Sequence, residues 1–410
     1  MESIGNLKQT RKKLILARST LRSALLVNKA WAAEAIRVLW KNPPVSALTA
    51  LKDRDRRQFY ACHVRKLEVR SSEDEKLMTD YSTLREMEFP LLKFIYIHNS
   101  SNHPSVRLLA QCCIRPSLEE VHFEGFDLDP TMLYLLRRQC PNLKKIALQV
   151  DIFYGPGIRA LTELIDNCKS MRSIHLHTDG SEQDLLEEHD FDSEIEFDAD
   201  DSRAQHDRLL GGLLGSLAYC NGLEELKMNT IHEYKTFSGV LRSLEQPFKD
   251  LRTLTMETLL EERSISLLAS KLNPDSLTAL DLMFNSITLT TNPLQQIALL
   301  VNLQNLSISY VDVTVREYPL SDILPLKNLK RLRSLVISNL PFSPELTDEA
   351  FIPMVEKWPE LEVLHLDLRN GLSTTSLISL EKHCPRLKDF ISQGEYDLND
   401  WEINVPASKS

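Results

Sequence analysis

Along most of the chain, apolar residues recur in one motif: an apolar position, two variable ones, an apolar position, one variable one, and a last apolar position. It first appears at Val64, Leu67 and Val69. It returns at Leu92, Ile95, Ile97, at Leu118, Val121, Phe123, at Leu143, Ile146, Leu148, and at Met171, Ile174, Leu176. Further copies begin at Leu223, Leu251, Leu277, Leu303, Leu332 and Leu361, and a weak last copy is Leu387, Phe390 and Ser392. The first positions are 28, 26, 25, 28, 52, 28, 26, 26, 29, 29 and 26 residues apart. The apolar-x-apolar end of the motif predicts a short strand with one buried face. Helical spacing lies between the strands, as in Phe351, Met354, Val355 and Trp358, in Leu161, Leu164, Ile165 and Cys168, and nearly so in Met132, Leu135, Leu136 and Cys140. Pro90, Pro116, Pro141, Pro359 and Pro385 each stand two residues before the motif, where proline ends a helix and favours an extended exit.

A strand and a helix in 25 to 29 residues cannot bury their own apolar faces, but stacked copies can. The pattern predicts an α/β solenoid over residues 60–393, a horseshoe with parallel strands on its concave side and helices on its convex side. These units resemble the long, cysteine-containing class of leucine-rich repeats. Cys140, Cys168, Cys220 and Cys384 carry the resemblance, each three residues before the motif, as in CPNLKKIAL and CPRLKDF. The Asn or Cys that usually follows the strand in that class is missing from most units, so the convex side is expected to be helical. The step of 52 equals two ordinary steps. Either a loop is inserted there, or one repeat has decayed, with Ile195 and Phe197 as its remnant and Asp192 where an apolar residue should stand.

Residues 14–44 do not fit the repeat. Leu21, Ala24, Leu25 and Asn28, then Trp31, Ala35 and Leu39, predict two helices or one broken one, ended by Pro43 and Pro44. On physical grounds this is a small helical cap or an interaction module. Its sequence, STLRSALLVNKAWAAEAIRVLWKNP, resembles the second half of an F-box, especially the fungal kind joined to leucine-rich repeats. Leu25, Leu26, Val27, Asn28 and Lys29 carry the resemblance with Trp31, Ala35 and the run Leu39 to Pro43. An F-box binds the Skp adaptor of a cullin-based ubiquitin ligase. The resemblance therefore implies a Skp-family adaptor as partner and Leu25, Leu26, Val27, Trp31, Leu39 and Trp40 as its apolar contacts. The usual opening segment, Leu-Pro-x-Glu followed by an apolar helix, is replaced here by the basic stretch MESIGNLKQTRKKLILAR, so the module is truncated or diverged. Trp31 and Trp40 are nine residues apart and point in different directions on a continuous helix. They are read equally as partner anchors and as packing between cap and first repeat.

The charge balance adds one feature. The net charge of −10 comes from Asp179 to Ser202, with twelve acidic residues and no Lys or Arg; without those twelve the balance is about +2. The stretch (179–207 as an insertion) is read as a solvated loop, since like charges repel and few apolar residues order it. Docking of a basic partner is the alternative. The near-neutral remainder offers no nucleic-acid-binding field. No apolar run is long enough for a membrane span, and the basic start, residues 1–13, leads into no secretory core, so an intracellular protein, cytoplasmic or nuclear, is expected.

Candidate chemistry is sparse. The seven cysteines form no Cys-x-x-Cys pair, which argues against a disulfide framework or zinc finger, and the four aligned ones read as small buried thiols. His175 and His177 flank Leu176, and His383 precedes Cys384, but no nucleophile–base set stands at a recognisable spacing. No P-loop, dinucleotide motif or HExxH is present. The expectation is a binding protein with no catalytic residue, cofactor or metal. The strand positions that alternate with the buried ones should meet a protein target: Phe94, Tyr96, His98, Ser173, His175, His177, Glu225, Lys227, Asn229, His365 and Asp367. Residues 394–410 are read as a tail. The function implied is substrate recognition for a Skp–cullin–F-box ligase; the alternative is a leucine-rich-repeat scaffold without a ligase link.

Overall fold

The structure is a computed structural model that describes residues 20, 23–71, 83–99, 104–125, 129–149, 155–177, 199–229, 234–260, 262–284, 293–310, 321, 323–338, 346–367 and 370–392. The expectations for residues 1–13, for most of the acidic stretch including Asp192, Ile195 and Phe197, and for the C-terminal tail lie outside these. The chain divides into two compact units, residues 1–151 with 167–171, and residues 152–166 with 172–410.

The first unit opens with three helices, α1 (Lys29–Leu39), α2 (Val45–Thr49) and α3 (Arg54–Ala61). Four parallel strands follow: β1 (Lys66–Ser71), β2 (Phe94–Asn99), β3 (Glu120–Glu124) and β4 (Lys145–Gln149). Helices α4 (Pro104–Cys113) and α5 (Pro130–Gln139) connect β2 to β3 and β3 to β4. The strands stack in plain register, Leu67 beside Ile95, Ile95 beside Val121 and Val121 beside Ile146.

The second unit repeats the scheme. Its ladder strands are β5 (Ser173–His177), β6 (Glu225–Asn229), β7 (Thr253–Leu260), β8 (Ala279–Phe284), β9 (Asn305–Tyr310), β10 (Ser334–Ser338), β12 (Val363–Asp367) and β14 (Asp389–Ser392), all parallel. A short pair, β11 (Leu346–Thr347) and β13 (Asn370–Gly371), lies outside that ladder. The connections are the helices α6 (Gly155–Asn167), α7 (Ala199–Ala218), α8 (Tyr234–Ser243), α9 (Glu262–Lys271), α10 (Pro293–Ile297), α11 (Asp348–Val355) and α12 (Thr374–His383), with a 3-10 turn at Leu324–Asn328. This is an α/β leucine-rich-repeat solenoid fold, one strand and one connection per motif copy.

The motif is the core. Its apolar positions are buried in every copy from Val64 to Leu366, while Leu387 and Phe390 of the last copy are half-buried. The predicted prolines all stand in turns ahead of the strands. On α5 the buried residues are Met132, Leu133 and Leu136; Leu135 is only half-buried. The step of 52 spans one crossover: β5 and β6 are hydrogen-bonded neighbours, Ser173 beside Glu225. No strand of the ladder stands between them, although the extra residues equal one further repeat in length. Their last part belongs to α7, whose Leu210, Leu213, Leu214 and Leu217 are buried at helical spacing.

A backbone device replaces the missing Asn ladder. The carbonyl just before a strand accepts two N–H groups from the next repeat along most of the ladder: Arg65 from Lys93 and Phe94 (2.9 and 3.0 Å), Glu224 from Arg252 and Thr253 (2.8 and 3.0 Å), Arg333 from Glu362 and Val363 (2.7 and 3.0 Å). These bonds pair the backbone amides at the entry to the strands. Charged side chains at the same position interleave. Glu119 lies between Lys93 and Lys144, and Glu224 between Arg172 (2.6 Å) and Arg252 (4.0 Å). The Lys144 and Lys93 hydrogen bonds hold the Glu119 carboxyl below its usual range. Exposed pairs of this kind contribute at most about 1 kcal/mol each, so they align repeats more than they stabilise them.

Candidate functional site

Residues 23–51 do two things at once. They cap the first repeat: the Lys41 carbonyl accepts N–H groups from Arg65 (2.9 Å) and Lys66 (3.0 Å), the place a preceding repeat's carbonyl takes elsewhere. The Trp40 ring stacks on Tyr60 of α3 with centroids 4.1 Å apart, and Ala35 and Leu48 are buried. Asn28 starts α1 because its side chain accepts the Trp31 N–H at 3.0 Å.

The same segment leaves an apolar stripe open. Leu26 is 88% exposed, Val27 61%, Trp31 59% and Val38 44%. Trp31 and Val38 are seven residues apart on α1, which keeps them on one side of the helix, while Leu26 and Val27 lie in the turn that precedes it. Of the six residues expected to meet an adaptor, three, Leu26, Val27 and Trp31, are exposed. Leu25, Leu39 and Trp40 are half-buried, and Trp40 is engaged with Tyr60. Val38 has the same character and was not singled out from the sequence, although it lies about two helical turns beyond Trp31.

The strand face of the first unit is aromatic at its centre. Phe94, Tyr96 and His98 point outward from β2, all half-buried. His122 of β3 packs beside them, 5.1 Å from Phe94 and 6.4 Å from Tyr96 between ring centroids. Lys66 sits over the Phe94 ring at 4.4 Å and Arg70 over the Tyr96 ring at 5.4 Å. The Tyr96 hydroxyl donates to Glu124 at 2.7 Å, and His98 Nδ1 is 3.7 Å from the same carboxylate. Burial first, and then the Glu124 bond, push the Tyr96 hydroxyl pKa up. Sequence reading missed Lys66, Arg70, His122 and Glu124. They hold the same alternate positions on the flanking strands, so the signal was present.

The strand face of the second unit carries the other candidates. Ser173 is only 7% exposed, and its hydroxyl donates to Glu225 at 2.7 Å. It supports Glu225 more than it presents itself, contrary to its expected place among the target contacts. His175 Nε2 lies 3.0 Å from the other Glu225 oxygen and 3.3 Å from the Ser173 hydroxyl. His177 stands edge-on to His175 at 6.4 Å, and Lys227 pairs with Glu257 at 2.7 Å. Asn229 ends the outward row of β6. His365, paired with Asp389 at 2.9 Å, and Asp367 lie on β12, separated from β6 by β7, β8, β9 and β10. Ser173, His175, His177, Glu225, Lys227 and Asn229 therefore share one area, and His365 and Asp367 do not belong to it.

A Ser, a His and a Glu in mutual contact invite a catalytic reading. The arrangement does not suit it, because the buried Ser173 hydroxyl gives its proton to Glu225 and the imidazole does not stand between nucleophile and acid. Among the described residues no group of His, Cys, Asp and Glu could hold a metal ion. Two of the aligned cysteines tie neighbouring repeats together. The Cys140 thiol donates to the Arg115 carbonyl at 3.3 Å, and the Cys384 thiol lies 3.4 Å from the Trp358 carbonyl. Burial pushes the Cys140 thiol up to about 12 and the Cys384 thiol to about 11, far from the thiolate that redox chemistry or metal binding needs. No described helix is long and apolar enough to cross a membrane.

The sequence matches no family model and no curated protein. Solved structures of similar fold include an internalin from Listeria monocytogenes, with 14% identity, a TM-score of 0.41, and 86% of this chain and 94% of that one covered. A chain of the Rad7–Elc1 complex from yeast has 15% identity and a TM-score of 0.47, with coverage of 95% and 86%. LegL7, a leucine-rich-repeat-containing protein from Legionella pneumophila, has 8% identity and a TM-score of 0.37, with coverage of 81% and 91%.

Proposed function

We propose that the chain is a protein-binding solenoid that recognises a target for a ubiquitin ligase. The N-terminal helices dock a Skp-family adaptor of a cullin ligase, and the strand faces hold the target. The observation that carries the adaptor half is the open stripe of Leu26, Val27, Trp31 and Val38. Four large apolar side chains within thirteen residues are costly to leave in water and form the sort of anchor that a partner groove takes. The F-box-like sequence around them supports the same partner. The target half rests on half-buried aromatic and charged side chains across parallel strands, a mixture that suits a protein partner. The chain performs no chemistry itself in this reading; it raises the local concentration of target at the ligase, inside the cell.

The alternative is a scaffold with no ligase link. The Trp40–Tyr60 stack and the Lys41 carbonyl bonds favour it, since they give residues 29–41 a capping role that needs no partner. Co-elution of the purified full chain with a purified Skp-family adaptor separates the two. A stoichiometric complex is expected, and absence of any complex at micromolar concentrations leaves only the scaffold.

A further inference from the structure

We infer that the outward face of β1, β2 and β3 grips an extended acidic–apolar segment of the target, with Arg70 receiving the carboxylate. This rests on the protein-binding reading above and says where on the chain, and with what chemistry, the target is held.

The registered strands place the outward side chains in three rows. Lys66, Phe94, Glu120 and Lys145 form the first, Glu68, Tyr96, His122 and Ala147 the second, and Arg70, His98 and Glu124 the third. Most of the charge in this field is already engaged. Lys66 pairs with Glu68 at 2.6 Å, and Glu124 accepts the Tyr96 hydroxyl at 2.7 Å with His98 close by. Arg70 differs. It is exposed, its contact is the Tyr96 ring, and no described carboxylate lies within ion-pair distance of it. A guanidinium laid on a ring is held in orientation while its in-plane N–H groups stay free, which matches the two oxygens of a carboxylate. The field is thus complementary to an anion at β1.

The apolar part of the complement lies beside it. Phe94 and His122 form a half-buried aromatic pair, and beyond His122 the row ends on the small, buried Ala147 between the half-buried Lys145 and Gln149. Neighbouring strands are about 4.8 Å apart and each strand residue rises about 3.3 Å, so the aromatic pair, one to two strands across and two to four residues along from Arg70, is roughly 12–14 Å from it. An extended segment rises about 3.3 Å per residue, which sets the acidic and the apolar residue about four positions apart. Tyr96 is central to the arrangement: its ring orients Arg70 and its hydroxyl orients Glu124.

The test is a random displayed peptide library selected on the full-length chain, followed by binding measurements on the synthetic consensus peptide. The selected pool should carry Asp or Glu about four residues from an aromatic or aliphatic residue. Arg70→Glu should weaken the consensus peptide by about tenfold or more, and a peptide with Lys in place of the acid should bind Arg70→Glu better than the native chain. Arg70→Lys should recover only part of the affinity, since an ammonium neither stacks nor pairs bidentately. Because Arg70 is exposed, these variants should unfold at the native temperature. A pool without acidic enrichment, or an affinity indifferent to both Arg70→Glu and Tyr96→Ala, overturns the inference. If the peptides instead lose affinity with Lys227→Glu, the protein-binding reading stands and this site falls. If no peptide is enriched, this site falls too, while co-elution with the adaptor still judges the ligase reading separately.

Discussion

Trp358→Ala should remove about 3–5 kcal/mol of stability, more than any other single truncation in the second unit. Trp358 is fully buried and stands three residues before a strand motif, the position that cysteine fills in four other copies. The larger side chain reaches across repeats. Its indole N–H donates to the Leu326 carbonyl at 3.3 Å in the preceding repeat, and its own carbonyl lies 3.4 Å from the Cys384 thiol of the following one. Truncation leaves a cavity and also removes one of the two donors to the Leu326 carbonyl, which keeps the Leu329 N–H at 3.0 Å. In a repeat array each unit is stabilised by its neighbours, so the loss should appear first as early unfolding of the repeats around β10, β12 and β14. Trp358→Phe separates the two contributions: it keeps most of the bulk, and the lost indole hydrogen bond should cost about 0.5–1.5 kcal/mol. Chemical denaturation measures both, with Leu299→Ala, at an exposed position, as a near-neutral control. A Trp358→Ala cost below about 1 kcal/mol would show that the repeats are not coupled through this side chain.

The second large effect is on binding. Leu26→Asp combined with Trp31→Asp should weaken the adaptor by more than about a hundredfold, since buried anchors at interfaces commonly cost 2 kcal/mol or more each. Stability should change by less than about 0.5 kcal/mol, because both residues are open to solvent in the free chain. Trp40→Ala should behave in the opposite way, because its ring is stacked on Tyr60. It should destabilise the first repeat by about 1 kcal/mol or more and weaken adaptor binding only through that loss. If the Leu26 and Trp31 variants lower stability and leave binding alone, the stripe is part of the cap and the scaffold reading gains.

The repeat was legible because burial imposes it. Leu67, Ile95 and Val121 must all face inward on stacked strands, so the same spacing reappears whenever a unit is added. Even Met171 and Met228 hold motif positions, since the site asks for volume and apolarity rather than for leucine. The last copy was weak in sequence and is weak in packing: Leu387 and Phe390 are half-buried, and β14 is paired on one side, by β12, among the described residues. The connections were less legible, because a strand-to-strand crossover can be closed by a long helix such as α7 or by a five-residue 3-10 turn at Leu324–Asn328.

Outward positions carry no such constraint. That Phe94, Tyr96 and His98 face outward follows from alternation. That Arg70 lies on Tyr96, or that Ser173 turns to Glu225, depends on which strands are neighbours. Ser173 and Glu225 are 52 residues apart in sequence, and their contact could be foreseen only once β5 and β6 were known to be neighbours. The N-terminal segment was legible as helical and apolar. Its division into a buried side with Ala35 and Trp40 and an open side with Trp31 and Val38 required the position of α3.

The central claim is that the open N-terminal stripe is a docking site and not only a cap. Hydrogen–deuterium exchange on the full chain, with and without a saturating Skp-family adaptor, tests it most directly. New protection is expected in residues 25–40 alone, with β1 to β4 and β5 to β14 unchanged and available for a target. No change in exchange anywhere, or protection that falls on the strand faces while residues 25–40 exchange as before, would contradict it.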